Sequence, residues 1–278
     1  MATAVIQWRD DNTFGFYSKE KGREMQMMER KVGNLPIYVF ETRKEMGEAA
    51  AKEAAEIINA AIAKNSVANV VFAAAPSQFE AMESLLAVDV DWTKVRGFHQ
   101  DEYIGLPPEH PAGFGNFMRR YLFDKLPFME LHYMLCEAEA VEAKCEEYAA
   151  LLKKYTPDLI FLGIGENGHL AFNDPAVADF DDPKVVKVVE LDDICRNQQV
   201  NDSSFTCIDE VPPIAMTLTM SEILRISRAI TVVPGPRKAA AVEAALNGPI
   251  TTACPASVLR NHPGASLYLD RESAASAF

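Results

Sequence analysis

The chain has 278 residues, of which 49% are hydrophobic and 24% charged, and its formal net charge is −13. This composition is ordinary for a globular protein and allows a sizeable apolar core. The negative charge argues against nucleic acid as a partner, because neutralising phosphates needs a clustered basic surface. The sequence has no run of about 18 apolar residues, so no membrane span is expected. It also lacks the apolar stretch of a secretory signal near its start.

The five cysteines are scattered, without a C-x-x-C pair. An odd, unpatterned set favours a reducing compartment, so we expect a cytoplasmic protein with mostly buried thiols. The positions are Cys136, Cys145, Cys195, Cys207 and Cys254.

Residues 1–34 differ in character from the rest, and we predict an N-terminal extension there, followed by one domain at 35–278. The charged, Met-rich segment 19–31 (KEKGREMQMMERK) suits either a short docking helix or a frayed arm. No chemistry is assigned to it.

From residue 37 onward, predicted strands and helices alternate. The strands are 37–40, 69–75, 95–99, 131–135, 158–163, 215–219, 229–233 and 266–269. The helices are 44–64, one opening at 76–77, 114–122, 141–154, one after Ser221, and 237–246. This alternation predicts a single α/β domain of Rossmann-like type, with a mainly parallel sheet and helices on both faces. Ligands of such sheets bind beyond the carboxyl ends of the strands, so functional residues should follow strands directly.

The segment after the strand 95–99 is acidic, with Asp101 and Glu102 in the run FHQDEYIGLP. A carboxylate at a strand tip is a candidate general base, and Asp101 fits that role. Alternatively, the two acids simply cap or solvate a loop.

The segment 163–175 (GIGENGHLAFNDP) follows the strand 158–163. Its glycines at 163, 165 and 168 let backbone N–H groups approach a ligand closely. His169 ends this turn, and histidine is the residue type best suited to proton transfer near neutral pH. The glycine spacing is not that of a dinucleotide site, and the lysine of a nucleotide P-loop is missing. A structural histidine is the alternative.

The segment 233–239 (VPGPRKA) places Arg237 and Lys238 at a predicted helix start. Cations are disfavoured there unless an anion is bound, so the pair indicates a phosphate site. A solvated basic pair is the alternative.

Together these segments resemble the glucosamine-6-phosphate deaminase/isomerase family, which is related to 6-phosphogluconolactonases. The resemblance covers residues 35 to 270, and its most specific stretches are 101–123 (DEYIGLPPEHPAGFGNFMRRYLF) and 163–175. The family forms are M-D-E-Y-V-G-L-P-x-x-H-P and G-x-G-x-D-G-H-I-A-F-N-E-P. Lactonases carry a G-H-T-A-S-L-F-P run instead, so the residues Ala171-Phe172-Asn173 favour the amino-sugar branch.

The resemblance implies an enzyme without metal or other cofactor that acts on a small sugar phosphate and forms a homo-oligomer. The net reaction is conversion of an aldose 2-amino sugar phosphate and water to a ketose 6-phosphate and ammonia. Asp101 matches the base that moves a proton between C2 and C1, His169 the residue that opens the ring, and Lys238 the phosphate ligand. The predicted catalytic residues are Asp101, His169, Asn167 and Asp174. The predicted substrate-binding residues are Ser77, Gln78, Glu102, Gly165, Gly168 and Lys238.

The sequence departs from the family pattern in four places. Asn167 replaces the aspartate before Gly-His, and Glu166 beside it is a candidate to compensate for the lost charge. Asp174 replaces a glutamate, so we expect its reach to His169 to depend on water. The phosphate loop, usually G-G-T-P, is AAAPSQ at 73–78, where Ser77 and Gln78 still offer donors. An arginine is missing just before the phenylalanine of 195–205 (CRNQQVNDSSF), and Arg196 is a displaced substitute.

Two alternatives remain open from the sequence. One is a lactonase or another sugar-phosphate isomerase on the same scaffold. The other is a non-catalytic sugar-phosphate sensor, suggested by Asn167 and the altered phosphate loop.

Overall fold

The computed structural model describes residues 5–8, 14–20, 23–135 and 138–278, with side chains from residue 27 onward apart from residue 138. Cys136 therefore lies outside the described residues. The strands are β1 Val5–Trp8, β2 Phe14–Glu20, β3 Arg23–Val32, β4 Leu35–Phe40, β5 Ala68–Phe72, β6 Val95–His99, β7 Asp101–Tyr103, β8 Glu130–His132, β9 Leu159–Leu162, β10 Val186–Glu190, β11 Ile214–Leu218, β12 Ala229–Val233 and β13 Ala265–Asp270. The α-helices are α1 Arg43–Asn65, α2 Phe79–Leu85, α3 Phe114–Tyr121, α4 Val141–Tyr155, α5 Asp193–Asn201, α6 Met220–Arg225, α7 Ala239–Asn247 and α8 Arg271–Ala274.

The strands form two sheets. The larger is ten-stranded, in the order β1-β2-β3-β4-β13-β12-β9-β5-β6-β8. In this order, the neighbouring strands from β4 through β13, β12, β9, β5 and β6 to β8 pair in parallel. The neighbours among β1, β2, β3 and β4 pair antiparallel. The strands β10, β11 and β7, in that order, form a second, small antiparallel sheet. The expected α/β fold with a mainly parallel sheet is confirmed.

The sheet separates two cores, because successive strand side chains point to opposite faces. In β5, Val71 belongs to one core, while Val70 and Phe72 belong to the other. The core around Val71 includes residues of α4, α6 and α7, and the second core includes residues of α1, α2 and α3. Helices therefore cover both faces. No helix in the described part of the chain is long and apolar enough to cross a membrane.

The helix α1 shows how local sequence sets an element's bounds. The side chain of Thr42 accepts a hydrogen bond from the backbone N–H of Glu45 at 3.2 Å, which caps the first turn. Alanines with high helix propensity then fill the buried face. Ser66 ends the helix in the left-handed conformation, with φ of 66°.

The helix considered for segment 19–31 was wrong. β2 and β3 form an antiparallel pair there, and β3 continues the main sheet through β4. Met27 packs on the second core and Met28 on the first, which is the alternation of a strand. The boundary at residue 34 between extension and domain stays a prediction.

The strand predicted at 215–219 is present as β11, but it belongs to the small antiparallel sheet. Its partner β7 sets Asp101 opposite Thr217, just beyond the end of β6. The predicted elements did not include β7, β10 or α5. These elements bring further side chains to the candidate site.

Candidate active site

A cavity opens where the segments following four neighbouring strands meet. β12, β9, β5 and β6 are consecutive in the main sheet and run parallel, so their carboxyl ends lie at one edge. The cavity is lined by Ala73, Ala74, Ala75, Ser77, Gln100, Asp101, Phe114, Gly163, Ile164, Gly165, His169, Ala171, Phe172, Gln198, Gln199, Asp202 and Lys238.

Half of the residues predicted for the site line this cavity. They are Ser77, Asp101, Gly165, His169 and Lys238. The others stand beside or behind the lining, namely Gln78, Glu102, Asn167, Gly168 and Asp174. The structure thus brings Asp101, His169 and Lys238 to one space. Their roles in catalysis and binding stay predictions.

Asp101 presents a buried carboxyl group to the cavity, with 4% of the residue exposed. Its Oδ1 has no hydrogen-bond partner among the described residues. Burial, and after it the charge of Glu102, holds the pKa of Asp101 well above its ordinary value. A carboxylate of raised pKa without a partner is suited to accept a proton from a bound ligand.

His99 fixes the backbone of Asp101 from behind. Its Nε2 accepts the N–H of Met134 at 2.9 Å, so Nδ1 carries the proton and donates to the carbonyl of Asp101 at 2.9 Å. Burial lowers the pKa of His99 to about 4, which keeps the ring neutral in this tautomer. Sequence reasoning missed this residue, because a histidine at a strand end has no pattern of its own.

Glu102 turns toward the N-terminus of α3. Its carboxylate accepts the backbone N–H groups of Tyr103, Phe114 and Gly115 at 3.0, 2.9 and 2.8 Å. The N–H groups in the first turn of a helix otherwise lack partners. Burial raises the pKa of Glu102 to about 7, although these three hydrogen bonds act in the opposite direction. Glu102 therefore caps α3, and its predicted role in substrate binding stays a prediction.

His169 has a direct carboxylate neighbour. Nδ1 of His169 lies 2.9 Å from Oδ1 of Asp174, which is fully buried. The expectation that Asp174 reaches His169 only through water was therefore wrong. Burial opposes ionisation of Asp174, but the contacts with His169 and Asn167 outweigh it and hold its pKa below the ordinary value.

Asn167 orients the same turn. Its Oδ1 accepts the backbone N–H of His169 at 3.1 Å, and its Nδ2 donates to Asp174 and Asp192, each at 2.9 Å. Glu166 does not replace the missing charge, because its side chain lies near Arg237, at 3.6 Å.

Two glycines are required by this turn. A Cβ on Gly165 would meet the imidazole of His169 at 2.2 Å, so the ring packs directly on the backbone. Gly168 has φ of 84°, a backbone conformation that residues with a side chain rarely adopt. A Cβ there would lie 2.7 Å from Sγ of Cys254.

Lys238 is buried at the end of the 3₁₀ helix Pro236–Lys238. No carboxylate in the described part of the chain forms an ion pair with it. Burial lowers its pKa, while the charges of Asp202 and Glu166 act in the opposite direction. Arg237 is bound to Asp202 at 2.5 Å. Of the predicted basic pair, Lys238 is thus the residue left to bind an anion.

The two predicted donors of the segment 73–78 lie at different depths in the site. Ser77 faces the cavity. Gln78 is buried, and its Nε2 donates to the carbonyls of Leu162 and Val232 at 3.4 and 3.2 Å. It therefore holds the ends of β9 and β12 together beneath the cavity.

Helix α5 adds residues that the sequence analysis did not single out. Gln198 and Gln199 of the helix, and Asp202 directly after it, line the cavity. Arg196, considered as a substitute phosphate ligand, instead donates to the carbonyls of Ile208 and Val211 at 2.8 and 3.1 Å. Because α5 itself was not predicted, the sequence analysis could not predict which of its side chains face the cavity.

Cys195 lies beside the His169–Asp174 pair, and the ligand atoms of the three side chains fall within 4.8 Å of one another. Burial and the neighbouring carboxylates hold the pKa of Cys195 well above its ordinary value. With no metal bound, the group is therefore held as a thiol beside Asp174.

A family model and the sequences of known proteins indicate the same family. The model for glucosamine-6-phosphate isomerases/6-phosphogluconolactonase matches residues 41–268. A glucosamine-6-phosphate deaminase of Lactobacillus delbrueckii subsp. bulgaricus is 31% identical over 86% of this chain and 98% of that protein. The enzyme of the same name from Listeria welshimeri is 34% identical over 81% of this chain and 94% of that protein.

Solved structures agree in fold. A monomeric glucosamine-6-phosphate deaminase superposes with a TM-score of 0.78 at 27% identity, covering 86% of this chain and 99% of that chain. The 6-phosphogluconolactonase from Trypanosoma brucei gives a TM-score of 0.72 at 20% identity, covering 90% of this chain and 100% of that chain. At that identity the second likeness shows the fold alone.

Proposed function

We propose that this chain, which belongs to the glucosamine-6-phosphate isomerase/6-phosphogluconolactonase family, deaminates glucosamine 6-phosphate to a ketose 6-phosphate and ammonia. The observation that carries the proposal is that Asp101, His169 and Lys238 line one cavity. The base, the ring-opening group and the phosphate ligand of such a reaction must all reach one hexose.

Ring opening is assigned to His169. Transfer of a proton to the ring oxygen accompanies cleavage of the C1–O5 bond, and loss of the proton of the C1 hydroxyl leaves an open-chain aldehyde at C1. An imidazole is suited to this step because its ordinary pKa is close to neutral pH. Nδ1 lies 2.9 Å from the carboxylate of Asp174, so we assign Nε2 as the nitrogen that serves the substrate.

The isomerisation is assigned to Asp101. Its carboxylate removes the proton from C2 of the open-chain aldehyde while O1 takes up a proton, which leaves an enolamine with a hydroxyl group on C1. Return of that proton to C1 produces an iminium at C2. Water adds to the iminium carbon and ammonia leaves, which gives the ketose. The buried Oδ1 of Asp101 has no partner among the described residues and is thus available for this transfer.

The 6-phosphate is assigned to Lys238 and Ser77. Lys238 offers an ammonium group in a buried position, where charge-assisted hydrogen bonds are strongest. Ser77 lies in the 3₁₀ helix that follows β5 and adds a hydroxyl donor. Binding the remote phosphate positions C1 and C2 between Asp101 and His169.

The test is a substrate panel. Ammonia release is measured with glucosamine 6-phosphate, its epimers and unphosphorylated glucosamine, and lactone hydrolysis is measured with 6-phosphogluconolactone. We expect ammonia from a hexosamine 6-phosphate and no lactone hydrolysis above the spontaneous rate. Lactone hydrolysis without ammonia release would overturn the assignment in favour of the lactonase branch. Thermal stabilisation by hexose phosphates without any turnover would favour a sensor.

We also propose that the protein is cytoplasmic and forms a homo-oligomer. The cytoplasmic assignment is supported by its cysteine pattern and by relatives named glucosamine-6-phosphate deaminase. The oligomer is an expectation from the family resemblance, and one structural relative is named as monomeric. Sedimentation analysis of the purified chain decides between the two states.

A further inference from the structure

The amide of Asn167 lies between two carboxyl groups. Its Nδ2 donates to Oδ1 of Asp174 and to Oδ2 of Asp192, both at 2.9 Å. Since an amide nitrogen carries two hydrogens, both are used. Its Oδ1 accepts the backbone N–H of His169 at 3.1 Å.

Asp192 is held in place independently. It is the N-cap of α5, where its Oδ1 accepts the backbone N–H of Cys195 at 2.7 Å. Its own backbone N–H donates to Oδ2 of Asp174 at 3.2 Å. Asp192 is therefore joined to Asp174 both directly and through Asn167. Asp174 in turn contacts the ring of His169.

The neutral side chain at position 167 follows from this arrangement. An aspartate there would place a third carboxylate within hydrogen-bond distance of the carboxylates of Asp174 and Asp192, and like charges this close cannot all ionise. An asparagine supplies the donors that two neighbouring carboxylates need. The carboxylate that the family motif has at 167 is thus matched here by one at position 192, farther along the chain.

We propose that Asp192 is a positioning residue for proton transfer at His169, acting through Asn167 and Asp174, and that it requires an amide at position 167. The inference rests on the proposed role of His169. Neither Asn167, Asp174 nor Asp192 belongs to the lining of the cavity. Their effect should therefore appear in kcat and leave KM unchanged.

The test is a set of variants that exchange the two side chains. Asn167→Asp should lower kcat at least about tenfold at unchanged KM, because it adds a third carboxylate. Adding Asp192→Asn to that variant returns the number of carboxylates to two and keeps an N-cap residue. The double variant should recover most of the lost kcat.

The matched control is Asp193→Asn, because Asp193 follows Asp192 on α5 but is exposed and lies 3.6 Å from Arg196. Adding it to Asn167→Asp should recover nothing. The proposal is overturned if Asp192→Asn also recovers nothing, or if Asp193→Asn recovers as much. The positioning role would also be overturned if Asn167→Asp lowered the melting temperature and Asp192→Asn restored it while kcat stayed constant. The two residues would then have a structural role alone.

Failure of the proposed function gives a different result. In that case the wild-type protein, correctly folded, releases no ammonia from any hexosamine phosphate. The melting temperatures of the variants then still test whether positions 167 and 192 are coupled. An Asn167→Asp protein as stable as the wild type would contradict that coupling.

Discussion

The imidazole of His169 rests on the backbone of Gly165, so closely that a Cβ on Gly165 would meet ring atoms at 2.2 Å. The two residues are joined by a hydrogen bond from the N–H of Gly165 to the carbonyl of His169 at 3.0 Å. The position of the ring therefore depends on the absence of a side chain four residues earlier. This relationship can be tested directly.

Gly165→Ala should displace the ring of His169 and lower kcat by about 100-fold, because misplacing a reacting group by about 1 Å has effects of this size. Steady-state kinetics measures it. The control is Gly105→Ala, where φ is 89° but a Cβ would meet nothing within 4 Å. It should lower stability by about 1 kcal/mol and leave kcat unchanged. Equal kcat values for the two variants would contradict the account.

Asp101→Asn should lower kcat by about 100- to 10,000-fold, the range over which a positioned general base contributes. The protein should remain folded, since the substitution neutralises a buried acid beside Glu102. Circular dichroism and ammonia release measure the two effects. Asp89→Asn on the exposed surface is the control and should behave like the wild type. Activity of Asp101→Asn within a factor of two of the wild type would exclude Asp101 as the base.

Lys238→Met should raise KM for the phosphorylated substrate about 100-fold, because a charge-assisted hydrogen bond in a buried site is lost. Its melting temperature should be unchanged or higher, since a buried cation without an ion pair is removed. Lys64→Met, at the end of α1 and therefore at the opposite edge of the sheet, is the control. An unchanged KM for Lys238→Met would show that the phosphate binds elsewhere.

The contribution of Glu102 to stability should fall as pH rises toward neutrality. Burial raises the pKa of Glu102 from 4.5 to about 7, so the folded state holds a proton that the unfolded state releases. The stabilisation is present below pH 4.5 and is lost as pH rises through 7, with a slope approaching about 1.4 kcal/mol per pH unit.

Urea unfolding of the wild type and of Glu102→Gln at a series of pH values isolates this contribution, because His99, whose pKa is lowered to about 4, acts with the opposite sign in the same range. The stability difference, wild type minus Glu102→Gln, should fall as pH rises from 4.5 to about 7. Glu109→Gln, at an exposed position, should give a profile parallel to the wild type. A profile for Glu102→Gln that parallels the wild type would show that another group is responsible.

The parallel core of the fold was predictable because its strands carry a strong local signal. The strands β5, β9 and β12 are largely apolar, and polar or glycine-containing segments follow β6, β9 and β12 directly. Because parallel strands end at one edge, this pattern was enough to expect Asp101 and Lys238 near one another.

The contacts behind the lining were not predictable in the same way. The hydrogen bond from Asn167 to Asp192 depends on how the chain returns through β10 and α5, elements that lack a strong periodic pattern. The strand β3 was missed for a related reason. Its methionines and charged residues favour a helix locally, but pairing with β4 decides the structure.

The measurement that tests the central claim most directly is ammonia release from glucosamine 6-phosphate by the wild-type protein and by Asp101→Asn, with the sugar product determined in the same samples. The account predicts one ketose 6-phosphate per ammonia from the wild type and a loss of both products in the variant. Folded wild-type protein that forms neither product, or a variant that forms both at the wild-type rate, would contradict it.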